Sequence, residues 1–236
     1  VRFAFDGAEA WFDGHFPGAP ILPAVAQLDI VDRLLRDAGL ALAGVERARF
    51  RRVILPGEAV EVTAEAATSE DRRRFAVRVG GTVASDGLVR VGPVRERVGF
   101  DAPEPGAAPS PDIETLIPHR GAMRLIERLL DRDEEIRCLA RIDPRHADGG
   151  FAPVVLALEA MAQAGAVAGG PVRGWLVSVA DADFEVPALP VGAPLVVQVR
   201  PMPSAPPLAL FEGRVEAGGR LLARARLGVM QAATTP

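Results

Sequence analysis

One stretch, FDAPEPGAAPSPDIE (Phe100 to Glu114), divides this 236-residue chain almost in half, and the order of elements ahead of it is repeated behind it. Dense in Pro, Gly, Ala and Ser and without apolar periodicity, it reads as an extended linker. Ahead of it, the turn at Pro23 leads into AVAQLDIVDRLLRDAG, a helix whose polar residues thicken toward an end that Gly39 can terminate. Alternating segments follow, VERARFRRVI, EAVEVTAEAA, RRFAVRVGG and GLVRVGPVRERV, separated by LPGE, TSEDR and SDG. Behind the linker, a lead TLIPHRGAMRLIERLLDRD and the alternating IRCLARID precede an apolar helix around Glu159. Four strand-like segments then close the chain: GWLVSVADADFEV, PLVVQVRP, LALFEGRVEAGG and RLLARARLGVM. FRRVILPGEAVEV and FEVPALPVGAPLVV both run strand, Leu-Pro, Gly, strand. The expected class is α+β, with a sheet wrapped on one helix in residues 1–99 and again in residues 115–236. The two copies either pair as a single-chain counterpart of a symmetric dimer or stand as independent domains.

Composition narrows the chemistry. The net charge of −4 lacks the basic balance of a nucleic-acid binder. All 27 basic residues are Arg, which excludes a Schiff-base or P-loop lysine. The single cysteine, Cys138, sits in an alternating segment and has no internal disulfide partner, which fits a cytoplasmic protein, and no signal segment opens the chain. Phe151 to Gly170 approaches the length of a membrane span, but Pro153, Glu159, Gln163 and the Gly-Gly end fit a buried helix better. Three scattered His and one Cys give no metal-ligand spacing, and no GxGxxG follows a strand, so neither a metal nor a nicotinamide is expected.

The candidate chemistry lies in two places. In WFDGHFPGAPILPAVAQLD, Pro17, Pro20 and Pro23 stiffen the chain around His15, Gly14 and Gly18 permit unusual backbone angles, and Phe12 and Phe16 give apolar cover. Such a setting keeps an imidazole neutral, as a general base requires. In the second helix Glu159 and Gln163, four residues apart, share one face of an otherwise apolar segment. A carboxyl there either takes a hydrogen-bonded structural place or carries a raised pKa and acts as a general acid. Asp29 holds the matching position in the first half.

GHFPGAPILPAVAQLD resembles the active-site segment of the hot-dog fold β-hydroxyacyl-acyl-carrier-protein dehydratases. IPHRGAMRLIERLLD resembles the opening segment of that family, LEAMAQAG its central helix and ARFRRVILPGEAVEV the strands that follow it. The resemblance implies a double hot-dog fold, two antiparallel sheets each wrapped on a central helix, forming a pseudo-dimer in one chain. It places His15 on the family's catalytic histidine and both Asp29 and Glu159 on its acidic position, with base and acid drawn from opposite halves. The second half departs from the pattern: PRHADGGF replaces His-Phe-Pro-Gly, and His146 stands one position off the expected spacing. The resemblance therefore implies one complete site, His15 with Glu159, while Asp29 faces a defective loop, as in the two-component dehydratases of aryl polyene pathways. His119, in PHRG, matches a family residue read as structural.

The implied reaction is dehydration of a β-hydroxyacyl thioester to the trans-2-enoyl thioester in fatty acid or polyene biosynthesis. His15 would take the proton beside the carbonyl and protonated Glu159 would help the hydroxyl leave. Substrate-binding positions are the main-chain N–H at the helix start, Ala24, where the family has Gly, and Gly18. No cofactor is implied beyond the phosphopantetheine of an acyl carrier protein, for which Arg47, Arg49 and Arg51 form either a docking patch or a solvated strand face. A hot-dog thioesterase and a non-catalytic acyl-binding protein are the alternatives, and association of two chains into a homo-oligomer is left open.

Overall fold

The computed structural model describes residues 1–67, 69–99, 102–104, 112–169 and 174–231. A short strand β1 (Arg2–Ala4) precedes the helix α1 (Ala24–Asp37) and the strands β2 (Leu40–Phe50), β3 (Ala59–Ala66), β4 (Arg72–Val79) and β5 (Thr82–Pro93). The second half contributes the one-turn helix α2 (Ile113–Leu116), strands β6 (Ile126–Arg132), β7 (Ile136–Ala140) and β8 (Phe151–Pro153), and helix α3 (Leu156–Gly169). Strands β9 (Gly174–Phe184), β10 (Ala188–Pro190), β11 (Leu195–Met202), β12 (Leu208–Ala217) and β13 (Arg220–Gln231) follow.

The two half-sheets meet edge to edge. One eleven-stranded antiparallel sheet runs β1-β3-β4-β5-β2-β9-β13-β12-β11-β7-β6, so β2 of the first half pairs with β9 of the second, in register from Gly44 with Asp183 to Arg49 with Ser178. Arg90 fastens this seam, donating to the Ala182 carbonyl at 2.8 Å and to the Asp183 carboxylate. Joining the halves at their edges leaves neither central strand with open backbone groups.

Each helix lies in the curve of its own half-sheet. The apolar residues buried along α1, which packs on β2 and β3, are Val25, Ala26, Leu28, Ile30, Val31 and Leu35. Arg33, Arg36 and Asp37 lie on its more open side. The helix α3 has no such polar face: Leu156, Leu158, Ala160, Met161, Ala164 and Val167 are all buried, and β6, β7, β11, β12 and β13 surround them. A helix that is apolar all round belongs inside. None of the described helices is long and apolar enough to cross a membrane.

Two expectations need correction. The segment SDG does not separate strands, because β5 runs through Ser85, Asp86 and Gly87, and the turn falls at Gly80–Gly81. Gly87 is needed inside the strand because the Phe75 ring and the β2 backbone occupy the place of a side chain. The linker gives way before Glu114: Asp112 caps α2, its side chain accepting from the Glu114 N–H at 3.0 Å. Of the rest of that segment, residues 100–101 and 105–111 lie outside the described ones. Cys138 is a buried strand residue, and burial pushes its thiol up to about 12, far from reactivity.

Candidate active site

The loop that carries His15 is held by the second half of the chain. The Arg120 N–H donates to the Gly14 carbonyl at 3.0 Å, the Met123 N–H to the Asp13 carbonyl at 3.0 Å, and the Ala122 N–H to the Asp13 carboxylate at 2.9 Å. Arg145 pairs with the same carboxylate. Gly14 has φ of +86°, and a Cβ there would run into the Arg120 carbonyl, so only glycine permits this approach. Phe16 is driven into the left-handed region at φ of +60°, a strain the stiff loop sustains. Its ring packs at a tilt against His15, centroids 4.6 Å apart, and against His119 at 5.5 Å.

These contacts bring together three residues distant in sequence. The side-chain donor atoms of His15, His119 and Glu159 lie within 4.8 Å of one another, all three residues buried. His15 Nδ1 donates to the Ile21 carbonyl at 2.8 Å, which fixes the tautomer and leaves Nε2 with a free lone pair. Burial pulls the His15 pKa down to about 4, overcoming the charge of Glu159, so the ring is neutral at pH 7. His119 Nε2 stands 3.3 Å from Glu159 Oε1. Gln163 is fully used: its Nε2 donates to Glu159 Oε1 at 3.0 Å and to the Met123 carbonyl at 2.8 Å, while its Oε1 accepts from the Leu125 N–H at 3.0 Å.

The pKa expectation for Glu159 is overturned. Burial alone would push the carboxyl up, but hydrogen bonds from His119 and Gln163, with the two imidazoles close by, outweigh it and hold Glu159 well below the usual carboxylate range. Two donors aimed at one oxygen favour the ionised form. His119, read from sequence as structural, is thus part of the site. The cluster also supplies what the spacing of His and Cys did not show, two imidazoles and a carboxylate that a metal ion could use.

The three residues line one chamber of about 280 Å³. Ala24, the first residue of α1, is on its wall, where the opening turn of a helix has N–H groups without intrahelical partners. Phe50, Ala162, Ala166, Phe211 and Val229 give apolar lining, and Arg51, Val53 and Trp175 stand at the exposed rim. Gly18 does not belong here. It is an exposed turn residue at φ of +82° with open space around it, outside the chamber. A further wall residue, Gln27, escaped the sequence reading; it is buried, and its Oε1 has no hydrogen-bond partner among the described residues. Its signal was a lone amide three residues after Ala24 on an apolar helix face. Arg47, Arg49 and Arg51 point outward from the sheet, alternating with buried Ala48 and Phe50.

The matching position of the first half is partnered differently. Asp29 is buried, and burial raises its pKa against the opposing pull of Arg33, which pairs with it at 2.7 Å from the same helix. His146 has its ring 5.0 Å from that of Trp11 and its Nε2 donating to the Ala122 carbonyl at 3.2 Å. Arg145, which stands at the family's histidine spacing, is spent on Asp13 and Asp143.

Fold and site define a double hot-dog protein of the dehydratase class, with one composite centre shared between its halves. The family model described as ApeP dehydratase matches residues 111–235, and that described as ApeI dehydratase matches residues 1–87. The chain belongs to the ApeP-like dehydratase family, with an ApeI-like half fused ahead of it. It is 30% identical over 95 residues to a 3-hydroxyacyl-[acyl-carrier-protein] dehydratase FabZ of Acetivibrio thermocellus, a match covering 35% of this chain and 65% of that protein. Across the curated relatives it matches, the chain spans about half to two thirds of their length. Among solved structures, the dehydratase domain of RzxB from Pseudomonas fluorescens superposes with a TM-score of 0.76 at 15% identity, over 97% of this chain and 93% of that one. A putative thioesterase from Novosphingobium aromaticivorans superposes with a TM-score of 0.63 at 17% identity, over 98% and 95%. Both likenesses concern the fold alone, so the reaction has to be argued from the site.

Proposed function

We propose that this protein dehydrates a 3-hydroxyacyl thioester, carried on the phosphopantetheine of an acyl carrier protein, to the trans-2-enoyl thioester. The observation that carries this reading is the meeting of His15 from the first half with Glu159 from the second at an apolar-walled chamber. Elimination needs a neutral base for the Cα proton, a source of a proton for the departing hydroxyl, and a donor for charge on the thioester oxygen. His15 Nε2 is the base, kept neutral by burial and oriented by the Ile21 carbonyl. The proton source lies on the Glu159 side of the chamber. The N–H groups opening α1 at Ala24 are the donors, reinforced by the helix dipole. Nothing in the reaction calls for a cofactor beyond the carrier arm.

On this reading residues 1–99 supply the base and oxyanion donors and residues 115–236 supply the acid. The rim arginine Arg51, with Arg47 and Arg49 beside it on the outer face of β2, offers positive charge to an acidic carrier protein. The test is incubation with a 3-hydroxyacyl carrier protein followed by mass spectrometry. Loss of water supports dehydration; release of free acid, or no product, would overturn it.

A further inference from the structure

Arg145 stands fourteen residues ahead of Glu159, as His15 stands fourteen ahead of Asp29, so the place that carries the base in the first half carries a guanidinium in the second. That guanidinium lies outside the chamber. It pairs with the carboxylate of Asp13, two residues before His15, and with that of Asp143 at 2.9 Å. Asp143 caps the single turn Pro144–His146, and its carboxylate accepts both the Arg145 main-chain N–H at 2.8 Å and Arg145 Nε at 3.0 Å. The planar fork therefore reaches Asp13 already oriented. Three segments meet at Asp13. Its carboxylate accepts the Ala122 N–H at 2.9 Å and its carbonyl the Met123 N–H at 3.0 Å, while a side chain at Gly121 would strike that carboxylate. His146, beside Arg145, donates to the Ala122 carbonyl at 3.2 Å, and its buried ring meets Trp11 edge-on. The Met123 carbonyl accepts in turn from Gln163 Nε2 at 2.8 Å, and the same nitrogen donates to Glu159 at 3.0 Å. A run of bonds thus leads from Arg145 through Asp13 and Met123 to the Glu159 carboxylate.

We propose that Arg145 is a positioning residue for His15: by gripping Asp13 it holds the base-bearing loop of one half against residues 120–123 of the other, and so keeps the imidazole in place beside Glu159. The inference rests on the dehydratase reading and gives the loop ahead of α3 a part in the one composite centre. Arg145 itself touches no substrate and moves no proton. Its side chain is 55% exposed, and an ion pair so open to water adds little to global stability. Its effect lies in how closely the loop is held. A reacting group displaced by about 1 Å loses roughly 10²-fold in rate, so a contact that is weak as a stabiliser is strong as a locator.

Two experiments on the full chain test this. Kinetics on a 3-hydroxyacyl carrier-protein thioester compare the wild type with Arg145→Gln, Asp13→Asn, the double variant and Arg145→Lys. Arg145→Gln should lower kcat about tenfold, inside the limit set by a 1 Å displacement, with KM and Tm near wild type. Asp13→Asn keeps an acceptor for the Ala122 N–H but loses the ion pair, and should fall by a similar factor. Because the two residues act through one contact, the double variant should be no slower than the slower single one. Arg145→Lys should recover part of the loss. An unchanged kcat in Arg145→Gln, losses that multiply in the double variant, or a fall in Tm that accounts for the loss would overturn the proposal. Amide hydrogen exchange followed by NMR reads the grip without turnover. The Arg120, Ala122 and Met123 N–H groups, which donate into the His15 loop, should exchange about tenfold faster in Arg145→Gln, with the amides of β12 unchanged. Equal exchange in variant and wild type would overturn the proposal. Wild-type protein that forms no enoyl product would defeat the dehydratase reading itself, and the exchange measurement would still decide whether Arg145 holds the loop.

Discussion

The Gly14 carbonyl accepts the Arg120 N–H at 3.0 Å, and this one hydrogen bond ties the residue before His15 to the residue after His119. The loops that carry His15 and His119 are therefore set against each other by main chain as well as by side chains. Because the two loops come from opposite halves, the site exists only where the halves are joined.

A side chain at Gly14 should separate them. At φ of +86° and against the Arg120 carbonyl, Gly14→Ala combines left-handed strain with a backbone clash, at a cost of roughly 2–5 kcal/mol. The expected outcome is a lowered Tm together with loss of turnover. Gly18→Ala is the control: its φ is +82° but nothing lies near the added methyl. It should show a smaller drop in Tm and an unchanged kcat. Equal kinetic damage from both would mean that the cross-half stitch does not position the site.

The two acidic helix positions should respond unequally. Glu159→Ala removes the partner of His119 and Gln163 and should cost about 10²–10⁴-fold in turnover. Asp29→Ala removes a buried carboxylate whose partner Arg33 is 55% exposed and can turn to water. Turnover in that variant should stay near wild type when assayed for enoyl product. A matching loss in Asp29→Ala would point to a second working site.

How much of this was legible in the sequence follows from the range of each interaction. Both helices and most of the long strands were readable because alternation, apolar periodicity and proline punctuation are local signals, whereas β6 lay inside a segment read only as a lead. His15 was readable for the same reason, since the residues that stiffen it flank it. The β2–β9 seam was not, because pairing Gly44 with Asp183 depends on a register between strands in opposite halves. The place of His119 beside the site was not legible, because its partners, Glu159 on α3 and the His15 ring, are brought to it by folding alone. The Glu159 pKa went the wrong way because the apolar helix advertises burial, whereas the two donors that reverse its effect come from His119 and from a Gln163 locked on distant main chain. The SDG segment looked like a turn by composition, and only the Phe75 ring across the strand explains Gly87 as a packing residue.

The His15–His119–Glu159 grouping makes a metal test informative. Two of its polar ends are already engaged, Nδ1 of His15 with Ile21 and Nε2 of His119 with Glu159, and the proposed elimination uses His15 Nε2 as the base. Dialysis against a chelator should leave turnover unchanged, and added zinc should inhibit by occupying His15 Nε2. Loss of activity on chelation, restored by a divalent ion, would replace the acid–base scheme with a metal-dependent one.

The pH dependence should carry the mark of His15. Its folded pKa is lowered to about 4 from 6.5, chiefly by burial, so the native state binds fewer protons than the unfolded chain between those values. Stability from this group is thus fully present above pH 6.5 and is lost as pH falls toward 4, by an amount on the order of 3 kcal/mol. Denaturant unfolding at pH 7 and pH 4.5 should show this loss in the wild type and a smaller one in His15→Gln, which has no proton to gain. The kinetic counterpart is an acid limb of kcat/KM near pH 4 for the free enzyme. A limb at pH 6.5, with no difference between wild type and His15→Gln in the unfolding series, would mean that the imidazole is solvated and does not sit in the dry position on which its action as a base depends.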